Sequence, residues 1–143
     1  MKHWLALFFL ATSGVSWAQQ VDPSTRNLHF RGDFSNLAAV IADTGQAHVV
    51  TLGGSITENG SGHSRRVPDW LTARYPECDF TFTNAGLSST CSMSGAFRLE
   101  RDVLSKGPVD LLIVEFAVND DQDAGHSVEV AKRGMEGILR HTR

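Results

Sequence analysis

Cysteine, proline and tyrosine are scarce in this chain, and neither sign of charge dominates. Its 143 residues hold two cysteines, four prolines and one tyrosine, at a formal net charge of −3. Two cysteines cannot build a disulfide-rich scaffold, and Cys78 and Cys91 form no Cys-x-x-Cys pair. They flank the second of the strands read below, and spacing alone leaves open a bridge or two free thiols. Mild acidity gives no reason to expect nucleic acid or an anionic membrane as partner. No two histidines have zinc-ligand spacing. The phosphate motifs Gly-x-x-x-x-Gly-Lys-Ser/Thr and Gly-x-Gly-x-x-Gly are both missing, so no cofactor is expected. Internal repeats, low-complexity tracts and signs of a second domain are also missing.

Long apolar runs are lacking too. The stretch from Trp4 to Ala11 falls short of the ~20 residues that cross a bilayer. It follows Met1-Lys2-His3 and precedes Ser16-Trp17-Ala18, so residues 1–18 read as a signal peptide cleaved after Ala18. The expected location is periplasmic or extracellular, with no membrane span in the mature chain, residues 19–143.

What is present is a regular alternation of helix and strand. After a polar lead, Gln19 to Arg26, Ser35 is expected to cap a short helix through Leu37, Ala38, Val40 and Ile41, ending at Thr44-Gly45. His48 to Leu52 reads as strand one. Glu58 to Arg66, with its glycines and serines, reads as loop. Val67, Trp70, Leu71 and Ala73-Arg74 recur at helical spacing, with Pro68 expected in the first turn and Pro76 beyond the end. Strand two is Asp79 to Asn84, with Phe80 and Phe82 alternating with threonines. Ser94 to Ser105 reads as a helix with Phe97, Leu99, Val103 and Leu104 on its apolar face. Asp110 to Val118 is almost wholly apolar and reads as a central strand. A last helix starts near Ser127. Such alternation implies a parallel sheet with helices on both faces.

The segment Val49-Val50-Thr51-Leu52-Gly53-Gly54-Ser55-Ile56-Thr57 carries the most information. An apolar strand runs into two glycines, and a serine follows at the carboxyl end, where open α/β sheets place their ligands. Two later segments share the pattern: Phe82-Thr83-Asn84-Ala85-Gly86, and Val114-Glu115-Phe116-Ala117-Val118-Asn119-Asp120. Serine, glycine and asparagine, each after its own strand and in this order, resemble the SGNH (GDSL-like) hydrolases. The resemblance implies a flavodoxin-like three-layer α/β/α fold, of which about three strands are present, in the order two-one-three with a fourth beside strand three. It implies esterase activity through an acyl-serine intermediate. Ser55 would be the nucleophile. The Ser55 N–H, the Gly86 N–H and the Asn119 side chain would form the oxyanion hole. A small acyl ester, possibly of a carbohydrate, would be the substrate.

Three features depart from the family pattern. Gly54 stands where an Asp usually precedes the serine, and Ala117 where a Gly usually precedes the asparagine by two. The closing Asp-x-x-His block lies well downstream of block three in the family, and no Asp-x-x-His is expected between Asn119 and Arg143. The chain is therefore expected to be the amino-terminal part of the domain and inactive alone. His63, His126 and His141 are the histidines from which a substitute base could come. The Asn119-to-Asp123 loop is expected to be solvated rather than metal-binding, with Asp120 as a buttress. Two other readings stay open: a flavodoxin-like phosphate-binding module, and a sugar-binding pseudoenzyme.

Overall fold

The computed structural model describes residues 29–143. The expected signal peptide and the polar lead lie outside the described residues. The chain divides into two units, residues 1–32 and 33–143. Every element below belongs to the second.

Helix α1, Ser35–Thr44, leads into strand β1, Gln46–Gly53. The capping acceptor of α1 is not Ser35 but Asp33, whose Oδ1 receives the Ser35 N–H at 3.0 Å and its hydroxyl at 2.6 Å. Gly45 ends the helix at φ 66° and returns its N–H to Ile41 O. That left-handed turn suits a residue without a Cβ.

A one-turn helix α2, Ser55–Glu58, follows β1, and helix α3 spans His63–Arg74. The loop expected up to Arg66 is thus partly helical. Gly62 O accepts the N–H of both Arg65 and Arg66, so the polar residues at 63–66 form a first turn despite their loop-like composition. Pro68 therefore lies inside α3 and not in its first turn.

Strand β2 is Asp79–Gly86, helix α4 is Ser92–Asp102, and a 3-10 turn follows at Leu104–Lys106. Strand β3 is Leu111–Glu115, a π-helical turn spans Asn119–Asp123, and helix α5 is Val128–His141. Ser127, near which the helix is expected to start, caps α5 by accepting the Val130 N–H.

All pairings are parallel, in the order β2-β1-β3. This three-stranded parallel sheet flanked by helices is the implied α/β architecture. Among the described residues β3 runs along an edge and β1 is the middle strand, buried from Val49 to Gly53. Leu112 and Val114 from the apolar run of β3 pack against the core. One core forms where β1 (Val50, Leu52), α4 (Leu99), Val103, Phe116 and α5 (Ile138) meet. Val49 and Thr51 alternate to the opposite face. Phe97, expected on the apolar face of α4, is 85% exposed. The buried stripe is instead Ser92, Gly95, Arg98 and Leu99, because Gly95 must sit against the Phe116 ring and Ile138.

Cys78 and Cys91 are both free thiols. They lie at opposite ends of β2, whose eight residues span roughly 26 Å at ~3.3 Å per residue, far beyond disulfide reach. Burial pushes the Cys78 thiol up, and Asp79 and Asp110 add to the effect.

Candidate active site

The three expected residues stand at one end of the sheet. The ladder pairs Gly53 with Gly86 on one side and with Glu115 on the other, so all three strands finish at the same level. Ser55 opens α2 two residues past Gly53 and is exposed. Its hydroxyl has no hydrogen-bond partner among the described residues.

Glycines let the surrounding parts close in. A Cβ on Gly54 would collide with the amide of Asn119. One on Gly53 would collide with Thr57 Oγ1 and lie 2.5 Å from Glu115 O. One on Gly86 would collide with the Glu58 backbone. Gly54, the departure from the family's Asp, is thus the space into which Asn119 packs. It brings the asparagine beside the residue preceding Ser55.

Asn119 is 2% exposed. Its Nδ2 donates to Asp123 Oδ2 at 2.7 Å, while Oδ1 is buried without a partner. The reverse amide orientation would set Oδ1 against a carboxylate, so Asp123 fixes which end is the donor. One Nδ2 hydrogen remains for a ligand. Gly86 donates its N–H to Asn84 Oδ1 at 2.9 Å. The same Asn84 side chain donates to Thr57 O at 2.9 Å and so fastens α2 to β2.

Several positioning groups carry no signal that sequence reading picks up. Arg98, buried in α4, donates to Gly53 O at 2.9 Å and to Ala85 O at 2.7 Å, clamping the last turns of β1 and β2. Asp102 pairs with Arg98 at 3.0 Å and with Arg101 at 2.6 Å. The Arg101 hydrogen bond, with help from Arg98, lowers the Asp102 carboxyl to about 2 against the desolvation that opposes it. Glu58 accepts both the N–H and the hydroxyl of Ser88, tying α2 to the loop after β2. On that loop Ser89 holds φ 59°, the one left-handed non-glycine residue among those described.

The histidines divide clearly. His48 sits at the opposite end of β1, where its ring bonds Pro108 O and Thr83 Oγ1, both at 2.8 Å. His141 ends α5, 14 residues or roughly 20 Å along the helix from the loop at its start. His63 Nε2 lies 3.3 Å from Thr57 Oγ1, on the residue two beyond Ser55. Contrary to the expectation that no Asp-x-x-His follows Asn119, His126 closes that spacing in Asp123-Ala124-Gly125-His126. The spacing does not make a dyad. His126 Nδ1 pairs with Asp120 Oδ1 at 3.1 Å, while Asp123 holds Asn119. Asp120 also accepts the Ser92 N–H and hydroxyl, the buttress expected of it. His126 faces a cavity of about 420 Å³ bordered by Phe116, Ala117, Val128, Lys132 and Met135, to which Ser55 does not contribute.

Known proteins bear on these features. No family model matches the chain, and no curated protein matches it. Among solved structures it is similar to a two-domain esterase (CEX) active on acetylated mannans, crystallised with mannopentaose. The identity is 36% and the TM-score 0.65, over 77% of this chain and 31% of that one. AlinE4, an SGNH-hydrolase family esterase, matches at 27% identity and TM-score 0.54, over 67% of this chain and 52% of its own. Axe2, an acetyl xylan esterase from Geobacillus stearothermophilus, shares the fold at 20% identity and TM-score 0.59, over 68% of this chain and 55% of its own. The chain thus spans about a third to a half of the length of these structures. By fold and by sequence likeness, the chain is of the SGNH (GDSL-like) hydrolase type.

Proposed function

We propose that this chain carries the nucleophile and oxyanion-stabilising groups of an exported esterase that hydrolyses a small acyl ester, with a carbohydrate ester as substrate. The carrying observation is Ser55: exposed, its hydroxyl unpartnered, at the carboxyl end of the middle strand, with Asn119 packed on the residue before it. The carbohydrate preference draws support from the mannan-active neighbour.

Ser55 Oγ would attack the acyl carbon and pass its proton to a base. Negative charge then develops on the carbonyl oxygen. Donors aimed at that oxygen lower the barrier, and losing one costs about a hundredfold or more. The Ser55 N–H and the free hydrogen of Asn119 Nδ2 suit this role. Gly86 would serve by exchanging its Asn84 partner for the oxyanion. Collapse expels the alcohol, and water releases the acyl group from Ser55. His63 lies at the start of α3, after the Ser55 turn, but its ring meets Thr57 Oγ1, and among the described residues no carboxylate pairs with it.

That last fact, with the engaged Gly86 N–H, favours a second reading: a sugar-binding pseudoenzyme. Fluorophosphonate labelling and turnover of p-nitrophenyl acetate and acetylated manno-oligosaccharides, measured on a chain extended to the length of the matched esterases, separate the two. Labelling and turnover that vanish in Ser55→Ala support the esterase. Saturable oligosaccharide binding with no Ser55-dependent chemistry supports the pseudoenzyme and overturns the first.

A further inference from the structure

Behind the Asn119 loop, three side chains of different chemistry converge from separate parts of the sequence. Cys91 precedes the first turn of α4, Asp120 lies in the π-helical turn, and His126 stands just before α5. One ligand atom from each, the Cys91 sulfur, an Asp120 carboxylate oxygen and a His126 ring nitrogen, lies within 4.8 Å of the other two. We infer that Cys91, Asp120 and His126 form a binding site for a borderline-soft divalent metal of the zinc class.

The donor set is the first argument. Thiolate, imidazole and carboxylate are the three side-chain ligands of zinc, and a mixed set of this kind suits zinc better than magnesium or calcium, which take oxygen. Geometry is the second. Zinc bonds of roughly 2.0–2.1 Å to nitrogen and oxygen set those two ligands about 3.3 Å apart in a tetrahedron. His126 Nδ1 and Asp120 Oδ1 are already 3.1 Å apart. Rigidity is the third. Asp120 is buried, its Oδ1 accepts the Ser92 N–H and hydroxyl at 3.0 and 3.1 Å, and its own carbonyl accepts the His126 N–H at 2.8 Å; a metal on Oδ1 would take the place of the hydroxyl, which can donate to Ala131 O 3.4 Å away, while the Ser92 N–H stays. The carboxylate therefore has the supporting hydrogen bonds that orient metal ligands. Three protein ligands leave a fourth position, and the cavity beside His126 and Asp120 gives water access to it.

Binding is balanced in protons. Cys91 gives up its thiol proton to solvent as the sulfur–metal bond forms. His126 binds through Nδ1 as the neutral ring, with its proton on Nε2. The metal replaces the Nδ1 proton that joins His126 to Asp120 in the metal-free protein; that proton leaves to solvent as Nε2 takes one up, so the neutral ring changes tautomer and the Cys91 proton is the net release. Because Asp120 follows Asn119, a bound ion would fasten the Asn119 loop to the starts of α4 and α5. The site stands independently of whether Ser55 is a nucleophile.

The test uses the 143-residue chain, stripped of metal with a chelator and kept reduced by a non-thiol reductant. Cobalt(II) is titrated in as the spectroscopic probe, and zinc(II) affinity is measured by competition with a chromogenic chelator. The expected result is one equivalent of cobalt, with a thiolate-to-cobalt charge-transfer band and the visible bands of a tetrahedral ion. Cys91→Ser should abolish the charge-transfer band, and His126→Gln should weaken zinc by about a hundredfold or more. Cys78→Ser should change neither. Circular dichroism of each variant separates a lost ligand from a lost fold, and Cys91→Ser is the mildest change. Absence of stoichiometric binding in the folded chain, or a band that survives Cys91→Ser or follows Cys78, overturns the assignment.

Discussion

The amide of Asn119 occupies the space where a side chain on Gly54 would begin. The loop after β3 is thereby keyed to the turn after β1, and the keying depends on one missing methyl group. Gly54→Ala should force the two segments apart. Overpacking of this kind costs about 1–3 kcal/mol, and here the strain falls on the donor beside Ser55. We expect a lower urea midpoint together with reduced acylation of Ser55. Unchanged values of both would show that the two segments yield freely.

In a chain extended to the length of the matched esterases, Asn119→Ala should lower kcat about a hundredfold or more with KM little changed, since the amide is proposed to act on charge that exists only in the transition state. Asp123→Ala should have a smaller effect of the same kind. It removes the carboxylate that orients the amide and leaves the amide in place. A rise in KM at constant kcat in either variant would mean that the loop binds ground-state substrate instead.

How much of this was legible in the sequence depends on the range of each interaction. Strands one and two and the last helix follow from local apolar patterns, and the turn carrying Ser55 from its adjacent glycines. The sheet order follows from the family resemblance that the three blocks carry. Local patterns fail where tertiary contacts set the outcome. The apolar period of α4 selects Phe97 for the interior, yet the interior position belongs to Arg98, whose charge is compensated by two backbone carbonyls and Asp102. Nothing near residue 98 announces those acceptors. Likewise His126 pairs with Asp120 rather than Asp123, and no spacing rule connects Cys91 to either. The first turn of α3 was hidden because Gly60, Ser61 and Gly62 read as continuing loop.

Arg98→Met should be costly. It strips donors from Gly53 O and Ala85 O and leaves Asp102 with only its exposed Arg101 partner. Hydrogen bonds to charged groups contribute about 1.5–3 kcal/mol each, so a loss of about 3 kcal/mol or more is expected. The Tm should fall by roughly ten degrees. Arg98→Lys should be intermediate, because one ammonium lacks the fork that reaches both carbonyls. Equal Tm values for the wild type and Arg98→Met would remove the clamp from the account.

The acid limb of stability should carry the signature of Asp102. Its folded value of about 2 lies below the ordinary carboxylate range near 3.8. Its contribution is therefore complete above that range and is lost as the pH falls from about 4 towards 2. The size is on the order of 2 kcal/mol. Denaturant midpoints between these pH values should fall more gently in Asp102→Asn than in the wild type. Parallel slopes would mean that other carboxylates govern acid unfolding.

The pairing of Gly53 with Gly86 has a consequence for how the sheet assembles. Both glycines lie under α2, one against Thr57 and the other against Glu58. A slip of β2 by one residue would bring Ala85 or Leu87 level with Gly53 and turn each side chain of the strand to the other face. The one-turn helix could then no longer settle on the sheet, and Ser55 would not be presented. The serine turn therefore works as a proofreading device for strand alignment, because only a correctly registered ladder can display the candidate nucleophile.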